Sequence, residues 1–348
     1  MTVGMGMTEK QGGSDVRANI TRAERDGDAY RITGHKWFMS APMSDAFLVL
    51  AQAAGGLTCF VMPRFKPDGR VNALHFLRLK DKLGNRSNAS SEVEFENAYA
   101  LRLGEEGRGI ATIIQMVSLT RQDCAIASAA LMRSGLAHAL HHVRNRRVFQ
   151  KQLVDQPLMQ QVLADLALDV EAATALAFRL AGSFDAPDDP LEAAWRRVMT
   201  PVTKYWVCKM APAVVNEALE CLGGNGYVEE LPLARMYREA PLNAIWEGSG
   251  NVMALDLMRV LMREPEAVEL VMADLARRAS ATPEIDAELR RIRSVLSDPS
   301  SDERIGRSLI ESLAKSAAAL ILRAHAPGFV ADAFVATRFD GGRRYTYR

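Results

Sequence analysis

Glu247 has the neighbours best suited to chemistry: it follows Ile245-Trp246 and precedes Gly248-Ser249-Gly250. A carboxylate held among apolar side chains has its charged form disfavoured, so its proton affinity rises towards that of a general base for a carbon acid. The glycines after it let backbone and ligand approach closely. The plainer reading is an acidic residue in a glycine loop that starts a helix at Val252, where negative charge suits the positive end of the helix dipole. Local sequence alone favours that plainer reading. Two further glycine-rich stretches, Gly6-Met7-Thr8-Glu9-Lys10-Gln11-Gly12-Gly13-Ser14-Asp15 and Glu220-Cys221-Leu222-Gly223-Gly224-Asn225-Gly226-Tyr227, are individually weak signals. His138, His141 and His142 fall on one helical face, but arginines surround them and would repel a cation, so no metal site is expected. Cys59, Cys124, Cys208 and Cys221 stand singly among apolar residues and read as buried reduced thiols.

The elements that position these residues fall into two kinds. Residues 1 to about 100 read as strands, at Ala29–Ser40, Phe47–Ala51, Thr58–Met62, Val71–Leu79 and Ser91–Phe95, separated by turn clusters such as Asp26-Gly27-Asp28 and Pro67-Asp68-Gly69. After Gly104-Glu105-Glu106-Gly107-Arg108-Gly109 come long apolar-periodic runs, Ile110–Arg147, Pro157–Ser183, Leu191–Leu222 and Val252–Leu261, which predict an antiparallel helical bundle. Pro265–Phe339 is again helical but interrupted at Pro283, Pro299 and Pro327, and the chain ends in Gly341-Gly342-Arg343-Arg344-Tyr345. The expected class is α+β: a small β-barrel-like strand domain, a helical bundle and a helical C-terminal extension. The strand and helix alternation of a doubly wound sheet is absent, which removes a Rossmann dinucleotide site. With 348 residues, 48% of them hydrophobic, the chain is long enough for more than one domain. A net charge of +1 gives no global field towards nucleic acid or an anionic membrane. The first residues lack a basic segment followed by a long apolar run, and no apolar stretch is long enough to span a bilayer, so a soluble cytoplasmic protein is expected.

Taken in order, Gly6–Asp15 and then Glu220–Tyr227 running on to Ile245-Trp246-Glu247-Gly248-Ser249-Gly250-Asn251 resemble the two signature regions of the acyl-CoA dehydrogenase family. That resemblance implies non-covalent FAD, an acyl-CoA-like substrate and an electron acceptor that the sequence does not identify. It implies that Glu247 removes the α-proton of an acyl thioester while the β-hydrogen leaves as hydride to flavin N5. Thr8, Gly13 and Ser14 correspond to residues that meet the flavin ring and the acyl-CoA through hydroxyls and main-chain donors; the ordinary alternative is a Gly-Gly turn. Lys36-Trp37-Phe38-Met39-Ser40 resembles the strand that stacks an aromatic ring on the flavin and aims a hydroxyl at N5, which implicates Phe38 and Ser40. The family's Trp falls at Phe38, whereas here Trp37 stands one place earlier. Because neighbouring strand residues point to opposite faces, the two rings are not expected to share one, and which of them stacks stays open.

Arg144, Arg146, Arg147 and Phe149 resemble a segment that reaches the flavin pyrophosphate of a neighbouring subunit, with Gln150 where glycine is usual. Gly223 and Gly224 would offer backbone N–H groups to the same cofactor. A solvated basic helix end and a glycine C-cap are the plainer readings. Arg121, next to Thr120, and Ser249 are implied substrate contacts; a structural arginine at a helix end is the alternative. Gly4–Asp15, Lys80-Asp81-Lys82-Leu83-Gly84-Asn85-Arg86-Ser87-Asn88-Ala89-Ser90 and Ile245–Asn251 look more particularly like the AidB subgroup, flavoproteins of the alkylation response associated with DNA binding and weak acyl-CoA turnover.

That likeness brings a second function class, sequence-independent binding of duplex DNA, with Arg290, Arg291 and Arg293 as its candidates beside Arg277-Arg278 and Arg343-Arg344. Acidic residues are interspersed among these arginines, a pattern that usually means a solvated helix face, although a homotetramer could align one such face from each subunit. The implied domains are a middle β-domain over 1–105, a helical bundle carrying Glu247 over 106–262 and a helical extension over 263–348. Family members place a further helical domain before the Gly6–Asp15 motif, so the chain is expected to be a fragment or to start late.

Overall fold

The computed structural model describes residues 1–279, 282–296 and 302–339. Pro299 and the terminal Gly341-Gly342-Arg343-Arg344-Tyr345 lie outside the described residues. The chain divides into two compact units, Met1–Leu119 and Thr120–Arg348.

The first unit is a seven-stranded mixed sheet: β1 (Val3–Gly6), β2 (Arg22–Asp26), β3 (Ala29–Ser40), β4 (Ala46–Ala53), β5 (Gly56–Pro63), β6 (Leu74–Leu79) and β7 (Ser90–Leu103). Pairing runs from β3 through β2, β4, β5 and β7, and β7 pairs back onto β3, so the strands close into the expected barrel-like unit. Closure gives β4 and β5 two buried faces. Phe47, Val49, Ala51, Phe60 and Met62 fill the interior with Tyr30, Ile32, Met39, Val93 and Phe95. Leu50, Leu57 and Cys59 pack on the other side against Ile113. A strand buried on both faces reads as a continuous apolar run, which is why Phe47–Ala51 and Thr58–Met62 were legible. The polar strand β2 and the glycine-rich β1 lack that pattern, and both were missed.

The second unit is helical. It contains most of α1 (Gly109–Asn145), then a two-residue hairpin of β8 (Arg147–Val148) and β9 (Lys151–Gln152), followed by α2 (Pro157–Gly182), α3 (Pro190–Glu220), α4 (Pro232–Glu239) and α5 (Gly250–Arg263). The C-terminal segment adds α6 (Pro265–Ala279), α7 (Pro283–Leu296), α8 (Gly306–His325) and α9 (Gly328–Arg338). Prolines set several of these starts. Pro157, Pro190 and Pro232 sit in the first turn, where a missing N–H costs no helical bond. Asp189 caps α3 by accepting from the backbone N–H of Leu191 (2.8 Å) and Glu192 (3.0 Å). Pro283 opens a helix and Pro327 precedes one, so these two interruptions separate α6 from α7 and α8 from α9 as expected. Ile285, Leu289, Leu309, Leu313 and Phe334 share one apolar core with Met132, Leu166, Trp195 and Leu257, so the C-terminal helices complete the bundle's core. Arg338 ties α9 to α2 through Asp165 and Asp169. Helix α1 stops at Asn145, two residues short of the expected Arg147, which belongs to the hairpin instead. No helix among the described residues is long and apolar enough to cross a membrane.

Candidate active site

Glu247 lies in the turn before α5, with φ +55°, a left-handed conformation that a side chain rarely adopts. Such strain persists only where surrounding bonds fix the backbone. Here Arg121 donates through Nε to the Glu247 carbonyl (3.0 Å), and Lys204 Nζ donates to the carbonyls of Gly248 (2.7 Å) and Asn243 (3.0 Å). Behind the turn runs a buried polar chain. Trp246 Nε1 donates to Asn243 Oδ1 (2.9 Å), Asn243 Nδ2 to Ser128 Oγ (3.1 Å), Ser128 Oγ to Cys208 Sγ (3.3 Å), and Cys208 Sγ to the Cys124 carbonyl (3.4 Å).

The carboxyl group itself is half satisfied: Thr120 hydrogen-bonds it, whereas Oε2 is buried without a partner. An unpartnered buried carboxylate oxygen is costly in a purely structural residue and useful where a proton must be taken up. Burial pushes the Glu247 carboxyl above its ordinary value, against the Thr120 bond and the charges of Arg121 and Lys204. This matches the sequence expectation in direction but not entirely in cause. Ile245 is 64% exposed and shields nothing, so the desolvation comes from the helical core behind the turn.

Arg121 is buried, with Nη1 on Asp256 Oδ2 (2.7 Å) and Nε on the Glu247 carbonyl, contacts that fix the turn. Ser249 is exposed at the start of α5 and its hydroxyl caps no backbone N–H.

In the strand unit, the chain continues from β1 so that Trp37 N–H donates to the Thr8 carbonyl (2.8 Å). A Cβ on Gly13 would meet Thr8 Oγ1 at 2.4 Å, so only glycine lets the turn fold back onto this hydroxyl. Ser14 is exposed beside it, and Ser40 is half-buried opposite Ser90. The turn is anchored by a buried ion pair that the sequence reading did not identify. Lys36 Nζ lies 2.7 Å from Glu9 Oε1 with both side chains fully buried, and it also donates to the Leu50 carbonyl (2.7 Å). Glu9 Oε2 accepts from the Ile20 N–H (2.8 Å) and Gln11 Nε2 (3.0 Å).

The alternation argument for Trp37 and Phe38 fails. The register between β3 and β7 shifts between Lys36 and Met39, both buried, and the two rings between them are left outside the barrel core. Lys80 Nζ lies 3.3 Å from the Trp37 ring centre and 4.7 Å from that of Phe38, so both rings flank one ammonium and converge on one side. Phe38 remains 47% exposed.

The remaining candidates stand apart from Glu247 in sequence and element. Arg147 Nη2 donates to the Gln150 carbonyl (2.7 Å) across the hairpin, whose tip carries Phe149, 91% exposed. Phe149 and Gln150 both have positive φ, +47° and +68°, which accounts for a preference for glycine at position 150. Gly223, at φ +59°, and Gly224 are exposed with open space where a Cβ would point, whereas a Cβ on Gly226 would meet the Leu219 carbonyl at 2.1 Å. On α7, Arg290 pairs with Asp286, Arg291 with Glu288 and Arg293 with Glu269. Arg277 and Arg278 both pair with Asp274. The face therefore presents guanidinium–carboxylate pairs. Among the described residues no His, Cys, Asp and Glu grouping could hold a metal ion.

Sequence reasoning missed Lys204, Lys36, Glu9 and Lys80. Two had a readable signal. Lys36 is in the inward phase set by Ile32, and Lys204 is the one charge in the run from Val198 to Cys208.

Residues 4–98 match the acyl-CoA dehydrogenase middle domain and residues 107–262 the acyl-CoA dehydrogenase C-terminal domain. The chain is 51% identical to AidB of Escherichia coli (strain K12) over 314 residues, covering 90% of this chain and 58% of that protein. It is 32% identical over 273 residues to the glutaryl-CoA dehydrogenase of Desulfococcus multivorans, covering 74% of this chain and 67% of the relative. The crystal structure of Caenorhabditis elegans ACDH-11 in complex with C11-CoA superposes with a TM-score of 0.88 at 30% identity, over 97% of this chain and 63% of that one. The chain thus spans 58% of its AidB relative's length.

Proposed function

Because the chain belongs to the acyl-CoA dehydrogenase family, we propose that it is an FAD-dependent oxidoreductase acting on the CH–CH group of an acyl-CoA thioester, with Glu247 as its base. The observation that carries this reading is the Glu247 carboxyl: raised in proton affinity, half unpartnered, and set on a strained turn held by two buried cations. The residues fit a flavin. Within the strand unit, Gly13 lies so close to the Thr8 hydroxyl that a Cβ there would collide, and Trp37 and Phe38 offer rings outside the barrel core; within the helical unit, taken by itself, Gly223 and Gly224 leave backbone open to an anionic group. FAD, when bound, supplies the hydride acceptor. Glu247 takes the proton α to the thioester carbonyl, Thr8 and Ser14 orient ligand through hydroxyls and main-chain donors, and Ser40 offers a hydroxyl from the barrel. Phe149, exposed at the tip of its hairpin, is the residue that would reach a neighbouring copy in a homotetramer. Purified protein should be yellow, or should become so with added FAD. A colourless protein that takes up no FAD would end this reading.

The base works only when ionised, and burial raises the Glu247 carboxyl above 4.5. The acid limb of kcat/KM should therefore lie above the range of an exposed glutamate, with activity rising as pH increases through it. A limb at or below that range would place the base elsewhere.

Duplex DNA binding is the alternative function, and the pairing of Arg290, Arg291 and Arg293 works against it. If those arginines do bind phosphates, replacing all three by alanine should flatten the salt dependence of duplex binding without changing FAD content. A wild type that ignores DNA at low salt, or a triple variant with an unchanged slope, would remove α7 from that role.

A further inference from the structure

We infer that Lys204 is the positioning residue of the active site: it holds Glu247 in its left-handed backbone conformation and supplies the buried positive charge against which the Glu247 carboxylate forms. The inference rests on Glu247 being the base and asks what makes that base both strained and ionisable. Lys204 is 1% exposed, and the two hydrogen bonds of its ammonium go to carbonyls on either side of the residue it would control, Asn243 and Gly248. One ammonium bridging these two carbonyls closes the turn into a ring, with Glu247 inside it. Without that bridge the Gly248 carbonyl loses its bond to α3, and glycine after a strained residue lets the turn relax.

Three helices bring titratable and charged groups to the Glu247–Lys204 pair. From α1 come Thr120, Arg121 and Cys124; from α3 come Lys204 and Cys208; from α5 comes Asp256, reached through Arg121. Arg121 has its counter-charge in Asp256, which also pairs with Arg197 and Arg259. Burial pushes the Cys124 thiol up to about 12 and raises Cys208 as well, so both stay neutral. Among the described residues Lys204 has no carboxylate within ion-pair distance, so Glu247 is the one acid of this group not already committed. Burial lowers the Lys204 ammonium and a Glu247 charge raises it, so each group favours the ionised form of the other.

The test uses FAD-loaded protein and two variants, Lys204→Met and Lys204→Gln; the second keeps a donor for one carbonyl but carries no charge. Both should retain FAD. Lys204→Met should slow anaerobic flavin reduction by acyl-CoA about 100-fold, the loss expected when a reacting group is misplaced by about 1 Å. In both variants the acid limb should move to higher pH. Infrared difference spectra against Glu247→Gln read the carboxyl titration directly without substrate, and should show the same upward move. If the Lys204 variants fail to fold, the coupling is read from the other side: Glu247→Gln should lower the Lys204 titration followed by NMR of ¹³Cε-labelled lysine. A Lys204→Met protein with wild-type rate and pH profile overturns the inference, as does a Lys204 titration that ignores Glu247→Gln. A wild type that no acyl-CoA reduces ends the dehydrogenase reading, while the two titrations still decide the coupling.

Discussion

Glu247→Gln is expected to retain FAD and to lose at least about 10²–10⁴-fold in the rate at which acyl-CoA reduces it, the usual worth of a positioned general base. The amide keeps the shape of the side chain and can still meet the Thr120 hydroxyl, but it cannot accept the α-proton. Oε2 has no partner to lose, so the substitution should leave the turn in place. FAD content and melting temperature should stay near wild type while reduction fails. Reduction at wild-type rate would show that the proton goes to another group.

The second large effect concerns stability. Glu9→Ala leaves the Lys36 ammonium buried with only carbonyl partners, and breaking such a pair costs about 3–5 kcal/mol. The double variant Glu9→Gln with Lys36→Met should cost less than the sum of the single changes, since neither leaves a charge behind. Burial works to raise the Glu9 carboxyl, but the Lys36 charge and the bonds from Lys36, Gln11 and Ile20 outweigh it and bring it to about 2. A carboxyl depressed in the folded state contributes stability that is present above its unfolded value, 4.5, and is lost as pH falls towards 2. Wild type should therefore lose stability over that window and Glu9→Gln should lose less, as read by urea melts followed by circular dichroism. Equal acid sensitivity in both proteins would assign the loss to other carboxylates. Glu9 follows Thr8 and its carbonyl accepts from the Gly12 N–H (3.0 Å), so FAD affinity should fall with stability in the Glu9 variants.

How much of this was legible in the sequence depended on whether a residue's role was local. The turn before α5 drew attention because an acid beside tryptophan and glycines is an unusual consecutive run, yet only its place after Gly6–Asp15 and Glu220–Tyr227 implied a base, since the local residues alone favoured a glycine loop at a helix start. The barrel strands Phe47–Ala51 and Thr58–Met62 were visible because burial on both faces leaves an unbroken apolar run. What holds the Glu247 turn was not visible, since Lys204 lies 44 residues before Gly248 and Arg121 lies 126 before Glu247. Their ammonium and guanidinium groups are assigned by which carbonyls the fold brings to them. Trp37 and Phe38 were misread for a different reason: alternation is a rule for regular strands, and a register shift between Lys36 and Met39 suspends it at the two residues in question. The arginines of α7 were read correctly as part of a mixed-charge face, because acids three and four residues away pair with Arg291 and Arg290.

The central claim is that this chain, loaded with FAD, oxidises acyl-CoA through Glu247. The direct measurement is anaerobic mixing of the FAD-loaded protein with straight-chain acyl-CoA thioesters of several lengths, following flavin absorbance and assaying the thioester product. The account predicts bleaching of the flavin by at least one of them, with the matching enoyl-CoA formed in equal amount. FAD that dithionite reduces but no acyl-CoA in the series bleaches would contradict it.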